Sequence, residues 1–138
     1  MRTATSGRKP IDRSSAPILL ASEDTPPAFM AVDATYVYWT RPVAGTVMRC
    51  SIGGCGAAPE TIAMGQAGPY CLAVDAGGLY WTNTGSRAGY DGSIMRFRPG
   101  DDAPTLLVAN LWWPELLVLD ASYVYWGSGD LTTRRAPR

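Results

Sequence analysis

The chain has 138 residues, equal numbers of acidic and basic side chains, and no histidine. The missing histidine excludes Ser-His-Asp and Cys-His catalytic arrangements and leaves too few ligands for a zinc site. The basic residues concentrate near the two ends, and residues 14–133 carry five arginines against eleven acids. We therefore expect no continuous basic surface for nucleic acid. No segment approaches the roughly 20 apolar residues of a membrane-spanning helix.

The chain opens with a polar, basic stretch, residues 1–15, for which we expect disorder. The next stretch, residues 16–26, begins with Ala-Pro-Ile-Leu-Leu-Ala. Matching stretches recur at Ala58 and Ala103, so we predict that residues 16–26 contain an outer strand of the repeat type described below. Its apolar run is too short for the core of a signal peptide.

Three similar units follow. They share a Pro-to-Asp run and then a Tyr-Trp pair, and we place them at residues 27–68, 69–113 and 114–138. The runs are Pro27–Asp33, Pro69–Asp75 and Pro114–Asp120, and the pairs are Tyr38-Trp39, Tyr80-Trp81 and Tyr125-Trp126. Repeats of about 40 to 45 residues built from short strands fit one propeller blade each.

Each unit is predicted to form four antiparallel strands, because short β-branched and aromatic runs alternate with Gly- and Pro-containing turns. In the first unit these are residues 30–32, 36–40, 46–50 and 60–63, and the fourth strand of the second unit is 105–108. We align Arg49 and Arg96 with Arg134 in the third unit. Ala136-Pro137 then reads as the start of a further fourth strand.

The pattern Pro-x-x-Leu-Ala-Val-Asp, Leu-Tyr-Trp-Thr and Gly-x-Ile-x-Arg, clearest between Pro69 and Arg96, resembles the YWTD repeat of six-bladed β-propellers in lipoprotein receptors. The Cys-x-x-Gly-Gly-Cys hairpin is also similar to Cys-paired propeller repeats of secreted bacterial proteins. The resemblance implies an all-β propeller made of four-stranded blades, with about three blades in this chain.

Three blades are too few for a closed ring, which has four to eight. Two hypotheses follow: the chain belongs to a longer propeller that supplies the missing blades, or two copies close a ring of three plus three blades. In the second case, residues 16–21 complete the sheet of the last blade, and twofold symmetry limits the assembly to a dimer.

The three cysteines have different expected roles. Cys50 and Cys55 flank a predicted hairpin turn, where Cα atoms lie within disulfide range. A disulfide is our prediction, with free thiols and metal ligation as alternatives. It would favour an extracytoplasmic location. Cys71 lies on an innermost strand and is expected to be a small buried residue.

The repeated aspartates Asp33, Asp75 and Asp120 are candidates for a Ca²⁺ site, since three carboxylates at equivalent blade positions could converge on a channel. Our preferred interpretation is that each accepts hydrogen bonds from the backbone of the turn that follows. We therefore expect no cofactor.

Function is sought where the repeat is broken. The loop 83–92 is five residues longer than its counterpart, and Trp112-Trp113 has no aromatic counterpart in the other units. Variable loops on a rigid scaffold commonly carry binding sites. The candidate ligand-binding residues are Tyr70, Asn83, Arg87, Tyr90, Trp112 and Trp113. We predict a non-catalytic scaffold that binds protein or glycan; the alternatives are a channel-site metal-dependent hydrolase or lactonase, and a fragment without independent function.

Overall fold

The computed structural model describes residues 16–138, and it contains only strands, turns and irregular segments there. The eleven strands are β1 (Met30–Val32), β2 (Tyr36–Arg41), β3 (Thr46–Ser51), β4 (Glu60–Ala63), β5 (Pro69–Asp75), β6 (Gly78–Asn83), β7 (Gly92–Phe97), β8 (Thr105–Leu111), β9 (Pro114–Leu119), β10 (Tyr123–Ser128) and β11 (Thr133–Pro137). The described residues include no helix capable of crossing a membrane.

The strands form three antiparallel sheets, which confirms the predicted all-β class. Blade 1 is β1-β2-β3-β4, blade 2 is β5-β6-β7-β8, and blade 3 has three strands, β9-β10-β11, in the described part of the chain. The first strand of blade 2, β5, contacts both β1 and β9. The first strands therefore lie side by side, as the innermost strands of neighbouring propeller blades do.

The Tyr-Trp pair of the second strand holds neighbouring blades together, because its two side chains point to opposite faces of the sheet. Trp81 is fully buried against Tyr38 and Val47 of blade 1. Tyr80 points the other way and packs with Trp126 of blade 3. Each blade thus has a Trp side facing the preceding blade and a Tyr side facing the next blade.

Residues 16–26 cross the Trp side of blade 1. Leu20 and Ala21 pack against Trp39, and the indole Nε1 of Trp39 donates to Glu23 Oε2 at 3.0 Å. Arg41 pairs with Glu23 at 3.1 Å. In the described residues the outer strand predicted here is not formed, because no other strand there lies beside residues 16–26 to supply its hydrogen bonds.

The end of blade 3 also differs from the prediction. Ala136 and Pro137 lie at the end of β11, paired with Val124 and Tyr123, and do not start a fourth strand. Arg135, rather than Arg134, pairs with the second tyrosine of its blade, Tyr125, and is therefore the counterpart of Arg49 and Arg96. Our sequence alignment of the third unit was wrong by one residue, because the loop before β11 differs in length from the corresponding loops of blades 1 and 2.

The predicted disulfide is confirmed. Cys50, a buried residue of β3, is bonded to Cys55, and their Cα atoms are 5.6 Å apart. Cys71 is the free cysteine of the described residues and lies buried between blades 2 and 3. Burial raises the pKa of the Cys71 thiol, which keeps it protonated and unreactive at neutral pH.

The repeated aspartates hold the turns after the innermost strands. Oδ1 of Asp33 accepts the N–H groups of Thr35 and Tyr36, both at 2.7 Å, and Oδ2 accepts the Tyr38 hydroxyl at 2.7 Å. The same three bonds recur at Asp120, with Tyr125 as the hydroxyl donor at 2.6 Å.

These hydrogen bonds stabilise the charged carboxylates. Desolvation raises the pKa of Asp33, but the bonds from Tyr36, Tyr38 and Thr35 outweigh it, and the pKa lies below its ordinary value. The pKa of Asp120 is also lowered. The largest cause is the hydrogen bond from the Tyr125 hydroxyl, and the bonds from two backbone N–H groups come next. Each turn is therefore strongest when its aspartate is ionised.

We expect these turns to make the fold acid-sensitive. A carboxyl group whose pKa is lower in the folded chain stabilises it above the unfolded pKa of about 3.9, and this contribution disappears as the pH falls through the folded pKa. The urea-unfolding free energy should fall between about pH 5 and pH 2. The double variant Asp33→Asn, Asp120→Asn keeps one acceptor oxygen at each turn but cannot titrate there, so its stability should fall less steeply. Equal slopes for both chains would contradict this assignment.

Candidate functional site

One end of the blades carries the loops between second and third strands together with the connectors into the innermost strands. In blade 2 these two segments are joined directly. The N–H of Thr84 donates to the carbonyl of Gly68 at 2.9 Å, and the N–H of Gly85 donates to the carbonyl of Ala67 at 2.8 Å. We call this end the top face.

The long loop of blade 2, residues 84–91, is closed at its base by an aspartate. The N–H of Ser86 donates to both carboxylate oxygens of Asp91, at 2.9 and 3.1 Å. Hydrogen bonds from Ser86 also hold the pKa of Asp91 below its ordinary value. The closed base leaves Arg87 and Tyr90 exposed on the top face.

Both exposed side chains meet the non-repeated tryptophan pair. The ring centroids of Tyr90 and Trp112 are 5.4 Å apart. The guanidinium carbon of Arg87 lies 4.6 Å from the centroid of a Trp113 ring, within cation–π range. The indole Nε1 of Trp113 donates to Glu115 Oε1 at 2.6 Å. These five residues form what we call the aromatic cluster.

The structure brings together four of the six predicted ligand-binding residues: Arg87, Tyr90, Trp112 and Trp113. The other two make contacts elsewhere. Asn83 is buried in β6 and donates to Gln66 and Ser93, and Tyr70 packs edge-on against Phe29 at 4.7 Å. Glu115 was missed by sequence reasoning, although its acidic side chain stands where the other units have Ala28 and Tyr70.

Trp113 has a left-handed backbone, with φ of 44°. The equivalent residue of blade 2 is Gly68, with φ of 72°, and the carbonyls of both residues accept the same connector hydrogen bond, from Gly129 and Thr84 respectively. The connector therefore requires this conformation. It costs a residue with a side chain about 1 kcal/mol or more, whereas glycine adopts it freely.

A second difference between blades 2 and 3, at the residue that donates to this carbonyl, makes room for the tryptophan. In blade 2, a Cβ at Gly68 would lie 2.6 Å from the hydroxyl of Thr84. In blade 3, the place of Thr84 is taken by Gly129, and a Cβ there would lie 3.2 Å from Cβ of Trp113. The pair Gly68 and Thr84 is thus replaced by Trp113 and Gly129, and the absence of a side chain at position 129 relieves a close contact with Trp113.

The calcium candidates are engaged in turns. Asp33 and Asp120 bind the backbone as described above. Asp75 accepts the N–H of Gly77 at 2.9 Å and is paired with Arg138, which lowers its pKa. Across residues 16–138 no group of three or more metal-ligating side chains comes together.

Comparisons with known proteins support the fold. No family model matches the chain, and no curated protein matches it significantly. Among solved structures, the chain is similar to selenomethionine-substituted virginiamycin B lyase from Staphylococcus aureus, with 15% identity and a TM-score of 0.56. The match covers 88% of this chain and 44% of that one. The chain therefore spans less than half the length of this β-propeller protein, and the likeness confirms the propeller-type fold.

The same comparison corrects one prediction. We expected a chain that is not an enzyme, and the structure that shares its fold is a lyase. The prediction of a non-enzyme is therefore corrected, because the propeller fold can carry an enzyme. Identity of 15% transfers the fold and no catalytic residue.

We expect the backbone of Trp113 to give an unusual order of stability among variants. Trp113→Gly removes the left-handed penalty together with the ring, whereas Trp113→Ala removes the ring and retains the penalty. The glycine variant should therefore be more stable than the alanine variant by about 1 kcal/mol. Urea unfolding measures the difference. An alanine variant as stable as the glycine variant would show that position 113 does not require the left-handed conformation.

Proposed function

We propose that the chain binds a protein partner through the aromatic cluster on its top face. Trp, Tyr and Arg are the residues enriched at the energetic centres of protein interfaces. The cluster presents all three on loops and connectors of a rigid sheet scaffold, where binding residues are commonly placed.

The backbone of Trp113 carries the proposal. A large side chain at a left-handed position is costly, and such strain concentrates at functional sites. Blade 2 meets the same connector geometry with Gly68 and no strain. A tryptophan at the equivalent place in blade 3 is therefore best explained by what its ring contacts outside the chain.

Recognition at this face is compatible with a binding protein and with an enzyme that docks a macromolecular substrate. The channel-site hydrolase alternative gains no support from the repeated aspartates, since their oxygens are engaged in turns. We further infer an oxidising, extracytoplasmic compartment, supported by the Cys50–Cys55 disulfide. Kinship with YWTD repeats is part of the same proposal and rests on the sequence pattern alone.

Selection of a displayed random-peptide library on the immobilised chain tests the proposed partner class, with a glycan array probed in parallel. Selected peptides should bind the wild-type chain and lose about tenfold or more in affinity, or about 1.4 kcal/mol, in Trp113→Gly and Arg87→Ala. The glycine variant is preferred at 113 because it relieves backbone strain.

Val43→Ala provides a matched control, since Val43 is exposed in the corresponding loop of blade 1 and lies outside the cluster. Its peptide affinity should equal that of the wild-type chain. Equal affinities for all four chains would reject the cluster as the binding site. Capture of glycans without any selected peptide would reject a protein partner.

A further inference from the structure

One arginine repeats in the third strand of all three blades. In each blade it is paired with the tyrosine of the Tyr-Trp pair. In blade 1, Arg49 is held twice. Its Nε and Nη2 atoms donate to Glu60, at 2.7 and 3.1 Å, and its guanidinium lies 4.2 Å from the Tyr36 ring centroid. In blade 3, Arg135 lies 4.1 Å from the Tyr123 ring centroid.

Blade 2 lacks both partners. Thr105 pairs with Arg96 where Glu60 pairs with Arg49. Gly78 stands where the other blades have a tyrosine ring, three residues after the repeated aspartate. Among the described residues, the Nε atom of Arg96 is buried and has no hydrogen-bond partner. An arginine edge that is removed from water without an acceptor is costly.

A third difference concerns the tyrosine hydroxyl. Tyr38 and Tyr125 donate to the aspartates of their own blades. In blade 2, both oxygens of Asp75 are bonded by Arg138, and the Tyr80 hydroxyl accepts from Nε of Arg138 at 3.2 Å. Among the described residues, the Tyr80 hydroxyl donates no hydrogen bond, so its proton can be donated to a ligand.

Arg96 and Tyr80 both line a cavity of about 470 Å³ at the end of blades 2 and 3 opposite the top face. Arg96, Arg98, Arg138, Asp75 and Tyr80 line it. Three arginines and one aspartate give the lining a net formal charge of plus two. The cavity is large enough for a small molecule, and arginine forks match the geometry of carboxylates and phosphates.

We propose that this cavity binds a small anionic molecule whose phosphate or carboxylate group is held by Arg96, with Tyr80 and Arg138 beside it. The anion supplies Arg96 with an acceptor, as Glu60 does for Arg49 in blade 1. The cavity lies away from the aromatic cluster, so the two sites can be tested independently.

Calorimetric titration at low ionic strength tests the cavity, with inorganic phosphate in one arm and succinate in the other. We expect saturable binding of at least one anion, and the stronger arm identifies the group that is recognised. Arg96→Gln should weaken this binding about tenfold or more, equivalent to about 1.4 kcal/mol. Circular dichroism checks that each variant is folded.

Two further variants make the test specific. Thr105→Glu gives Arg96 the partner that Arg49 has in blade 1, and it should abolish anion binding although every arginine remains. Arg49→Gln removes the equivalent arginine that is already paired, and it should leave anion binding unchanged. Absence of saturable binding by both anions, or equal weakening by Arg49→Gln, would overturn the proposal.

A separate observation concerns two blade faces that have no neighbouring blade among the described residues. The Tyr side of blade 3 exposes Leu116 and Val118 at 65% and 62%, and the Trp side of blade 1 exposes Met30 and Val32 at 61% and 63%. Inside the chain, a Tyr side meets a Trp side twice, between blades 1 and 2 and between blades 2 and 3. The two open faces are therefore complementary to each other.

Residues 16–26 occupy the place of a preceding blade's last strand and connector. Leu20 and Ala21 pack on Trp39 as Ile62 and Ala63 pack on Trp81. Glu23 accepts the indole of Trp39 as Gln66 accepts the indole of Trp81. In the described residues, the outer edge of β11 has no paired strand. Residues 16–21 therefore have the sequence of a fourth strand without forming one in the described residues.

We infer that a second copy of this chain covers both faces. Residues 16–21 of each copy pair with the β11 edge of the other, and the two Tyr-side faces close on the two Trp-side faces. Twofold symmetry closes six blades and leaves no free edge, so the assembly stops at a dimer.

Light scattering with size-exclusion chromatography at about micromolar concentration, a range in which specific interfaces associate, should give the mass of a dimer. Val118→Lys buries a charge in the contact and should give monomers. Leu131→Lys changes a residue that is 97% exposed outside the contact, and it should leave the dimer intact. A monomeric wild-type chain, an open polymer, or a dimer unaffected by Val118→Lys would each overturn the inference.

Discussion

The packing of adjacent blades through the Tyr-Trp pair determines the rest of this structure. Two neighbouring side chains on one strand point to opposite faces, so each blade grips both of its neighbours. Trp81 is completely buried and Tyr80 nearly so. At about 25 cal/mol per Å², burying a tryptophan of roughly 200 Å² contributes about 5 kcal/mol of transfer free energy. A blade without a neighbour loses this contribution on one side, which is why the two outer faces matter.

The repeat allowed most of the fold to be predicted from sequence. Local residues determine the strand positions, the strand order within each blade, the aspartate turns and the disulfide. Local patterns of this kind are visible in a repeated sequence. The failures are non-local. Residues 16–26 have the sequence of an outer strand, but a strand exists only where another strand supplies its hydrogen bonds. The register of β11 depends on the loop at Gly129–Thr132, and a one-residue change there shifts Arg135 into the place predicted for Arg134.

The candidate site was predictable in part for the same reason. Arg87, Tyr90, Trp112 and Trp113 were found because they interrupt the repeat, and the structure joins them into one cluster. Sequence reasoning could not show that Trp113 occupies a left-handed position, although Gly68 at the equivalent place was a signal. Asn83 was also predicted to bind a ligand, yet its amide nitrogen donates to Gln66 and Ser93, because a buried polar group must find a partner nearby.

The same backbone position can be compared between the repeated blades. A position that carries a free-energy cost in one blade but not in another is a candidate functional site. Blade 1 pairs Arg49 with Glu60 and stacks it on Tyr36, which shows that the fold can satisfy this arginine by itself. Blade 2 keeps the arginine and omits both partners, and blade 3 places a tryptophan where glycine suffices. Each of these two differences carries a free-energy cost that the equivalent position in a neighbouring blade does not have. Because the scaffold avoids the same cost elsewhere, we propose that a bound ligand compensates for it at both sites.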